Sequence, residues 1–475
     1  MDGATPHLAR FMAVKAVMTE RLINLVVPLA HKATAMRIQD TAGLVRVWSC
    51  AVSPLIGIGV RRGDIDSTNT RSTRPTLTTP GIRISTMATR TTTTRRTRVA
   101  RVRSAAQYVR PHADFSFLQL VEAYFDCRKA KRNTESALAF EQNLERNLVD
   151  LFEELSDGSY RPGRSICFVI TRPKPREVWA AEFRDRIVHH LLYNHISPRF
   201  YASFIADSCA CIPGRGTLYA AERLEAKVRS ITQNWSRAAW YLKCDLVNFF
   251  VSIDKAIVWD LVSRRVSEPW WLKLAETILF HDPRQDFELR GNPALLELVP
   301  KHKRLLSQVD GFGLPIGNLS SQFFANVYLD ALDQFAKHQV RVRHYVRYVD
   351  DFILLHESPQ WLNGALALIS DFLPQRLNAQ LNPRKTILQP VERGIDFVGH
   401  VIKPWCRRPR RRSLNSALTR TSAAKPQEFL STANSYFGLL GQSPKSHHDR
   451  ARLAKAVLRS GSTVNHGFTQ TFRKS

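Results

Sequence analysis

The 475-residue chain is long enough for roughly two or three domains and a substantial buried core, so its size excludes nothing. Its 69 Lys and Arg against 41 Asp and Glu give a formal net charge of +28, spread well beyond one tail, which points to a polyanionic partner. There is no apolar run of roughly 18 residues to span a membrane; seven scattered cysteines without C-x-x-C spacing argue against a disulfide framework or zinc site and suit a reducing cytoplasm.

Residues 1–104 differ from the rest. Ile23–Ala30 is apolar but short, contains Pro28 and lacks a cleavage pattern, so it is no convincing signal peptide. From Arg61 to Arg103 the chain is rich in Thr and Arg with few large apolar residues, which leaves a disordered segment, an RNA-contacting arm, or translation beginning at Met87. Order is expected from Phe115. Phe117, Leu118, Val121, Tyr124 and Phe125 recur at helical spacing, and after Asn133-Thr134 a second helix runs through Leu138 to Leu155 and stops at Asp157-Gly158. Ile166–Thr171 reads as a strand. Pro173 and Pro175 then hold Lys174 and Arg176 on an extended, exposed loop before a helix near Phe183. A Pro-Gly-Arg-Gly turn ending Phe204–Gly216 precedes a helix over Leu218–Ile231.

Trp240–Cys244 is a buried-type strand that terminates at Asp245, with Phe249 and Phe250 just beyond. A loop around His281–Pro300 leads to a glycine-rich turn, Gly311–Gly317, and a helix entered near Leu319 with Phe323, Phe324, Val327, Tyr328 and Leu332 on its packed face. Tyr345–Leu355 reads as two strands bent at Asp350-Asp351. Neighbouring carboxylates in an apolar hairpin repel each other and resist burial, so they face water or a divalent cation neutralises them. Leu362–Leu373 is an amphipathic helix, Asn382-Pro383 a turn that exposes Lys385, and Gly394–Ile402 a further hairpin strand. The basic block Arg407–Arg412 precedes a helical C-terminal region.

Asp245 and Asp350 each lie at or near the end of an apolar strand, so one sheet can bring them together. Two or three carboxylates a few ångströms apart can hold a pair of magnesium ions and support in-line phosphoryl displacement. The order of these segments over Phe115–Lys403 resembles the finger and palm motifs of reverse transcriptases. That resemblance implies an α+β right-hand polymerase fold, with fingers over 105–235, an antiparallel palm sheet carrying the acids within 236–403 and a helical thumb over 404–475. It implies that Asp245 and Asp350 ligate two Mg2+, with Asp351 supporting them, and that Lys385 helps neutralise or protonate the leaving pyrophosphate. Lys174 and Arg176 resemble the segment that grips the incoming dNTP. Phe250 resembles the steric gate against a ribose 2′-hydroxyl, and Gly394–Gly399 the primer-grip hairpin.

Ile316–Gln322, IGNLSSQ, departs from the pattern of group II intron and retroviral relatives, with Ile316 before Gly317 and Gln322 after Ser321. The departure resembles reverse transcriptases of diversity-generating retroelements, which copy a template-repeat RNA with errors opposite adenine. Gln322 is then a nucleotide contact, and Gly317 and Asn318 template or primer contacts. The implied partners are an RNA template, a DNA or RNA primer and a small basic accessory variability protein, with no membrane. A group II intron-like or phage-defence reverse transcriptase is the alternative, and a catalytically inactive RNA-binding relative the non-enzymatic one.

Overall fold

A computed structural model describes residues 114–129 and 134–473. The expectations for residues 1–104, including Met87, fall outside them. Helix α1 (Phe117–Arg128) starts at a capping box, in which the Ser116 side chain accepts from Gln119 N and the Gln119 side chain accepts from Ser116 N. The helix expected through Leu155 is divided at Asn143, whose φ of −128° and ψ of 47° leave the helical region, into α2 (Glu135–Gln142) and α3 (Leu144–Asp157). Gly158 ends α3 at φ +79°, where a side chain would be strained.

Strand β1 (Ser165–Ile170) pairs antiparallel with β2 (Arg176–Ala180). The sequence reading left β2 as loop. Arg176 is its first residue, and only Lys174 stays on the exposed bend between the strands. Helix α4 (Phe183–Tyr201) begins where expected, and α5 (Thr217–Ile231) leads to β3 (Trp240–Asp245). After the short α6 (Phe249–Ser252) come α7 (Lys255–Ser263), α8 (Pro269–Phe280) and β4 (Phe287–Arg290), an unexpected strand that adds parallel to β1.

Helix α9 (Leu319–Gln334) precedes the central hairpin of β5 (His344–Tyr348) and β6 (Asp351–His356). With α10 (Pro359–Leu377) and β7 (Ile387–Pro390) they complete an antiparallel sheet of order β5-β6-β3-β7. One face of this sheet, through Tyr241, Val346, Ile353 and Leu355, packs on Leu224 and Val228 of α5 and on Ile395, Phe397 and Ile402. Burying each such side chain contributes on the order of 2 kcal/mol over leaving it exposed.

The last three residues of that core belong to a second small sheet. The stretch read as one strand turns at Val398-Gly399 into β8 (Ile395–Phe397) and β9 (His400–Lys403). The first half of the basic block is itself β10 (Cys406–Pro409), with Arg407 buried between Glu222 and Glu225 of α5. Helices α11 (Arg411–Ser422), α12 (Phe429–Gly441) and α13 (His447–Arg459) then form a bundle around Leu414, Phe437, Leu440 and Leu453.

Candidate active site

The register of β3 against β6 sets Asp245 directly opposite Asp351 and Cys244 opposite Phe352. Side chains alternate along a strand, so Lys243, Asp245 and Asp351 share one face and Cys244 takes the other, as the sequence implied. Asp350 is the second residue of the two-residue loop between Tyr348 and Asp351, which pair. The first loop residue, Val349, has φ +55°, a costly conformation for a β-branched side chain.

A buried ion pair fastens that turn. Arg347 on β5 is 1% exposed and binds both carboxylate oxygens of Asp333 on α9, at 2.8 and 2.7 Å. It also donates to Ser208 Oγ at 2.8 Å, to Asn326 Oδ1 at 3.3 Å and to the Val349 carbonyl at 3.0 Å. Asp333 accepts a further bond from the Tyr345 hydroxyl at 2.8 Å. Sequence reasoning missed this network, though an arginine inside an otherwise apolar strand was its visible signal. The strained turn beside Asp350 is therefore over-determined from beneath.

Charge above the turn is incompletely balanced. Lys385 Nζ lies 2.6 Å from Asp245 Oδ2, and Lys243 Nζ lies 3.0 Å from Asp351 Oδ2. Lys385 is delivered by a turn whose Asn382 N donates to the Asp245 carbonyl at 2.8 Å. Among the described residues no side-chain ion pair holds Asp350. Burial, then the charge of Asp245, pushes its carboxyl up to about 6. Burial also raises Asp351, against the opposing charge of Lys243, and leaves Asp351 Oδ1 buried without a hydrogen-bond partner.

The structure thus brings Asp245, Asp350, Asp351 and Lys385 together. It links Lys174 and Arg176 to them by no hydrogen bond or ion pair among the described residues; both stand exposed at the β1–β2 tip. Phe249 packs in the core 6.3 Å from the Tyr328 ring, whereas Phe250 beside it is only half-buried. Gln322 is half-buried in the first turn of α9. Gly317 and Asn318 serve a seam: the Ile316 carbonyl accepts from Trp179 N at 2.7 Å, and Asn318 Oδ1 accepts from Ala181 N at 3.1 Å. Gly317, at φ +130°, brings its α-carbon so close that an added Cβ would lie 2.6 Å from the Trp179 carbonyl. Gly394 meets β9, where a Cβ would lie 2.9 Å from Lys403 Cγ, and Gly399, at φ +91°, completes the β8–β9 turn.

Among the described residues no three His, Cys, Asp or Glu side chains are already drawn together as a cation cage. The donor set nevertheless fits a hard divalent cation. It is all carboxylate oxygen, it carries one buried oxygen without a partner, and its two lysines pair with Asp351 and Asp245 rather than with the third carboxylate.

Residues 172–402 match the family described as reverse transcriptase (RNA-dependent DNA polymerase). Protein YkfC of Escherichia coli K12 is 22% identical over 284 residues, 53% of this chain and 69% of that protein. The mitochondrial nuclear intron maturase 1 of Arabidopsis thaliana is 23% identical over 319 residues, 50% of this chain and 43% of the maturase. Among solved structures, telomerase from Candida albicans with a fragment of telomeric RNA is 13% identical at a TM-score of 0.41, covering 63% of this chain and 54% of that one. Apo telomerase from Candida tropicalis is 12% identical at 0.37, covering 51% and 53%. The chain thus spans less than half of the maturase and about half of the telomerase chains. Over residues 172–402, just under half of its length, the chain is similar to the reverse transcriptase (RNA-dependent DNA polymerase) family, and the described residues have the mixed α+β architecture expected from the sequence.

Proposed function

We propose that this domain is the RNA-directed DNA polymerase of a diversity-generating retroelement, copying a template-repeat RNA into error-prone cDNA in the cytoplasm. The observation that carries the chemistry is the pairing of Asp245 with Asp351 across β3 and β6, beside an Asp350 whose carboxyl is pushed up by burial and the charge of Asp245, a push that Lys385 only partly offsets. Two magnesium ions on Asp245 and Asp350, with Asp351 alongside, would stabilise the attacking and leaving oxygens of an in-line displacement. Lys385, about half exposed and resting on Asp245, is free to turn to the leaving pyrophosphate once Asp245 has another partner. Lys174 and Arg176 grip the triphosphate from the β1–β2 tip. Phe250 presents its ring against a ribose 2′-hydroxyl, and Gln322 lies along the nucleotide. Gly317, Asn318, Gly394 and Gly399 let backbone approach template and primer.

Support for the retroelement is Ile316–Gln322, whose departure from the common pattern falls on the seam between β2 and α9. The reading carries with it a small basic accessory protein as partner. A second reading, a group II intron-like or phage-defence reverse transcriptase, is favoured by the similarity to an intron maturase over half of this chain.

Primer extension on an RNA template with magnesium, scored for errors by template base, tests both. Errors concentrated opposite adenine are expected, and errors uniform over the four bases favour the second reading. Asp350→Asn is expected to lower incorporation by at least about a hundredfold, and equal incorporation by the variant overturns the metal assignment. Phe250→Ala is expected to admit ribonucleotides; unchanged sugar discrimination would refute its gate role. A wild type that binds RNA and incorporates nothing is the inactive RNA-binding relative.

A further inference from the structure

Two tryptophans are held in backbone conformations that glycine would adopt without strain. Lys403 pairs with Cys406 across the β9–β10 turn, so Pro404 and Trp405 form its two-residue loop, and Trp405 has φ +63°. That position in such a turn favours Gly or Asn. The chain instead places its largest side chain there, 70% exposed. Facing it, with ring centroids 6.2 Å apart, is Trp235, which ends a run of three left-handed residues, Gln233, Asn234 and Trp235, at φ +46°, +60° and +74°.

Successive left-handed residues each cost roughly 1–2 kcal/mol, and this run is fastened in place. Trp235 N donates to Thr232 Oγ1 at 3.0 Å, Asn234 N to the Arg229 carbonyl at 2.9 Å and Arg237 N to the Thr232 carbonyl at 2.9 Å. Trp235 rests partly buried on the core containing Ala239, Val391 and Ile402, so it backs Trp405 from below. Folding strain is thus spent to hold an aromatic face open to solvent, which packing alone would not reward.

The surroundings are basic. Alternation along β9 and β10 turns Ile402 and Arg407 inward and leaves Lys403 and Arg408 exposed; Arg237 and Arg393 are exposed next to the two turns. Glu392 is the exposed acid beside them, and Asp396 is already paired with Arg410. An open aromatic face among cations suits an unpaired base and its phosphates, since stacking tolerates any base and the charge tracks the backbone. The patch adjoins Ala239, immediately before β3, whose other end is Asp245. A six-residue strand separates those ends, a span of roughly 20 Å.

We infer that Trp405, backed by Trp235 and flanked by Lys403 and Arg408, is a stacking platform for single-stranded RNA, a second RNA contact at the opposite end of the sheet from the carboxylates. RNA is the occupant because the copied strand is the polyanion that arrives with long unpaired stretches; this rests on the polymerase reading above.

The test is the affinity of the full chain for an unstructured RNA of about 20 nucleotides, by fluorescence anisotropy, against a DNA of the same sequence. Trp405→Ala is expected to weaken RNA binding by about 5- to 100-fold. Trp405→Phe should keep most of it, and Lys403→Ala should reduce the salt slope by about one. Extension of a short primer–template duplex whose template overhang is only about two nucleotides, too short to reach a platform roughly 20 Å away, should be unchanged in Trp405→Ala. Wild-type RNA affinity in Trp405→Ala overturns the inference, as does a loss confined to DNA. A wild type without polymerase activity whose RNA binding still depends on Trp405 sinks the functional reading and leaves the platform standing.

Discussion

Asp350 holds its proton to about pH 6 in the folded chain, whereas an ordinary aspartate releases it near 3.8. Between those values the folded state binds more protons than the unfolded one, so this residue's contribution to stability falls as pH rises through the interval and stays low above it. Asp350→Asn should therefore stabilise the cation-free chain by about 3 kcal/mol at pH 7.5. The gain should fade below about pH 4, where both states are protonated. Thermal melts of both proteins in chelator across that range check this, and a variant no more stable at pH 7.5 contradicts it. Added magnesium should raise the wild-type Tm more than the variant's. Arg347 behaves in the opposite way. Arg347→Met leaves Asp333 buried and uncompensated and should cost about 3–5 kcal/mol. Arg347→Lys should recover little, because one ammonium cannot reach both Asp333 oxygens, Ser208 and the Val349 carbonyl together. Urea unfolding of the two variants measures the difference.

At the level of elements, the seam between β2 and the entry to α9 is fixed by backbone. Gly317→Ala would drive a methyl into the Trp179 carbonyl and should cost more than about 1 kcal/mol. Asn318→Ala, which orphans Ala181 N, should cost about 1–3 kcal/mol. Faster amide exchange of β2 in both variants, with β3 and β6 unchanged, is the expected signature. These elements also mark where the sequence was informative. Asp245, Asp350, Asp351 and Lys385 were legible because acids at strand ends and a lysine after an Asn-Pro turn contrast with apolar neighbours. The register was not: the reading expected one sheet to bring Asp245 and Asp350 together without pairing residues, and the ladder sets Asp245 opposite Asp351 with Asp350 in the adjoining loop. Register is a long-range property that local pattern does not carry. β2 was hidden by its preceding prolines and by Glu177, a buried acid at a position that reads as surface. β10 was hidden because Arg407 looks solvated until two glutamates of α5 meet it.

At the largest scale of the described residues, the small sheet of β8, β9 and β10 meets the C-terminal helical bundle at His400. That ring is buried, and its Nδ1 lies 2.8 Å from Ser443 Oγ, just past α12. Burial, helped by the charge of Arg407, pushes its pKa from 6.5 down to about 4. Protons added below pH 6.5 therefore go first to the unfolded chain, and stability is lost as pH falls from there to about 4, by about 3 kcal/mol. Protection factors at the end of α12 should fall between pH 7 and pH 5, and His400→Gln should flatten that response. Motions at such a joint belong to microseconds and slower. The turn that carries Lys385 is different. Its backbone is tied down, with Lys385 N and Thr386 N both donating to the Asn382 carbonyl at 3.0 Å. Lys385 can leave Asp245 by rotating its own side chain, in nanoseconds, with no strand unpaired. Cation uptake is then ungated: its observed rate should rise in proportion to magnesium concentration without a plateau.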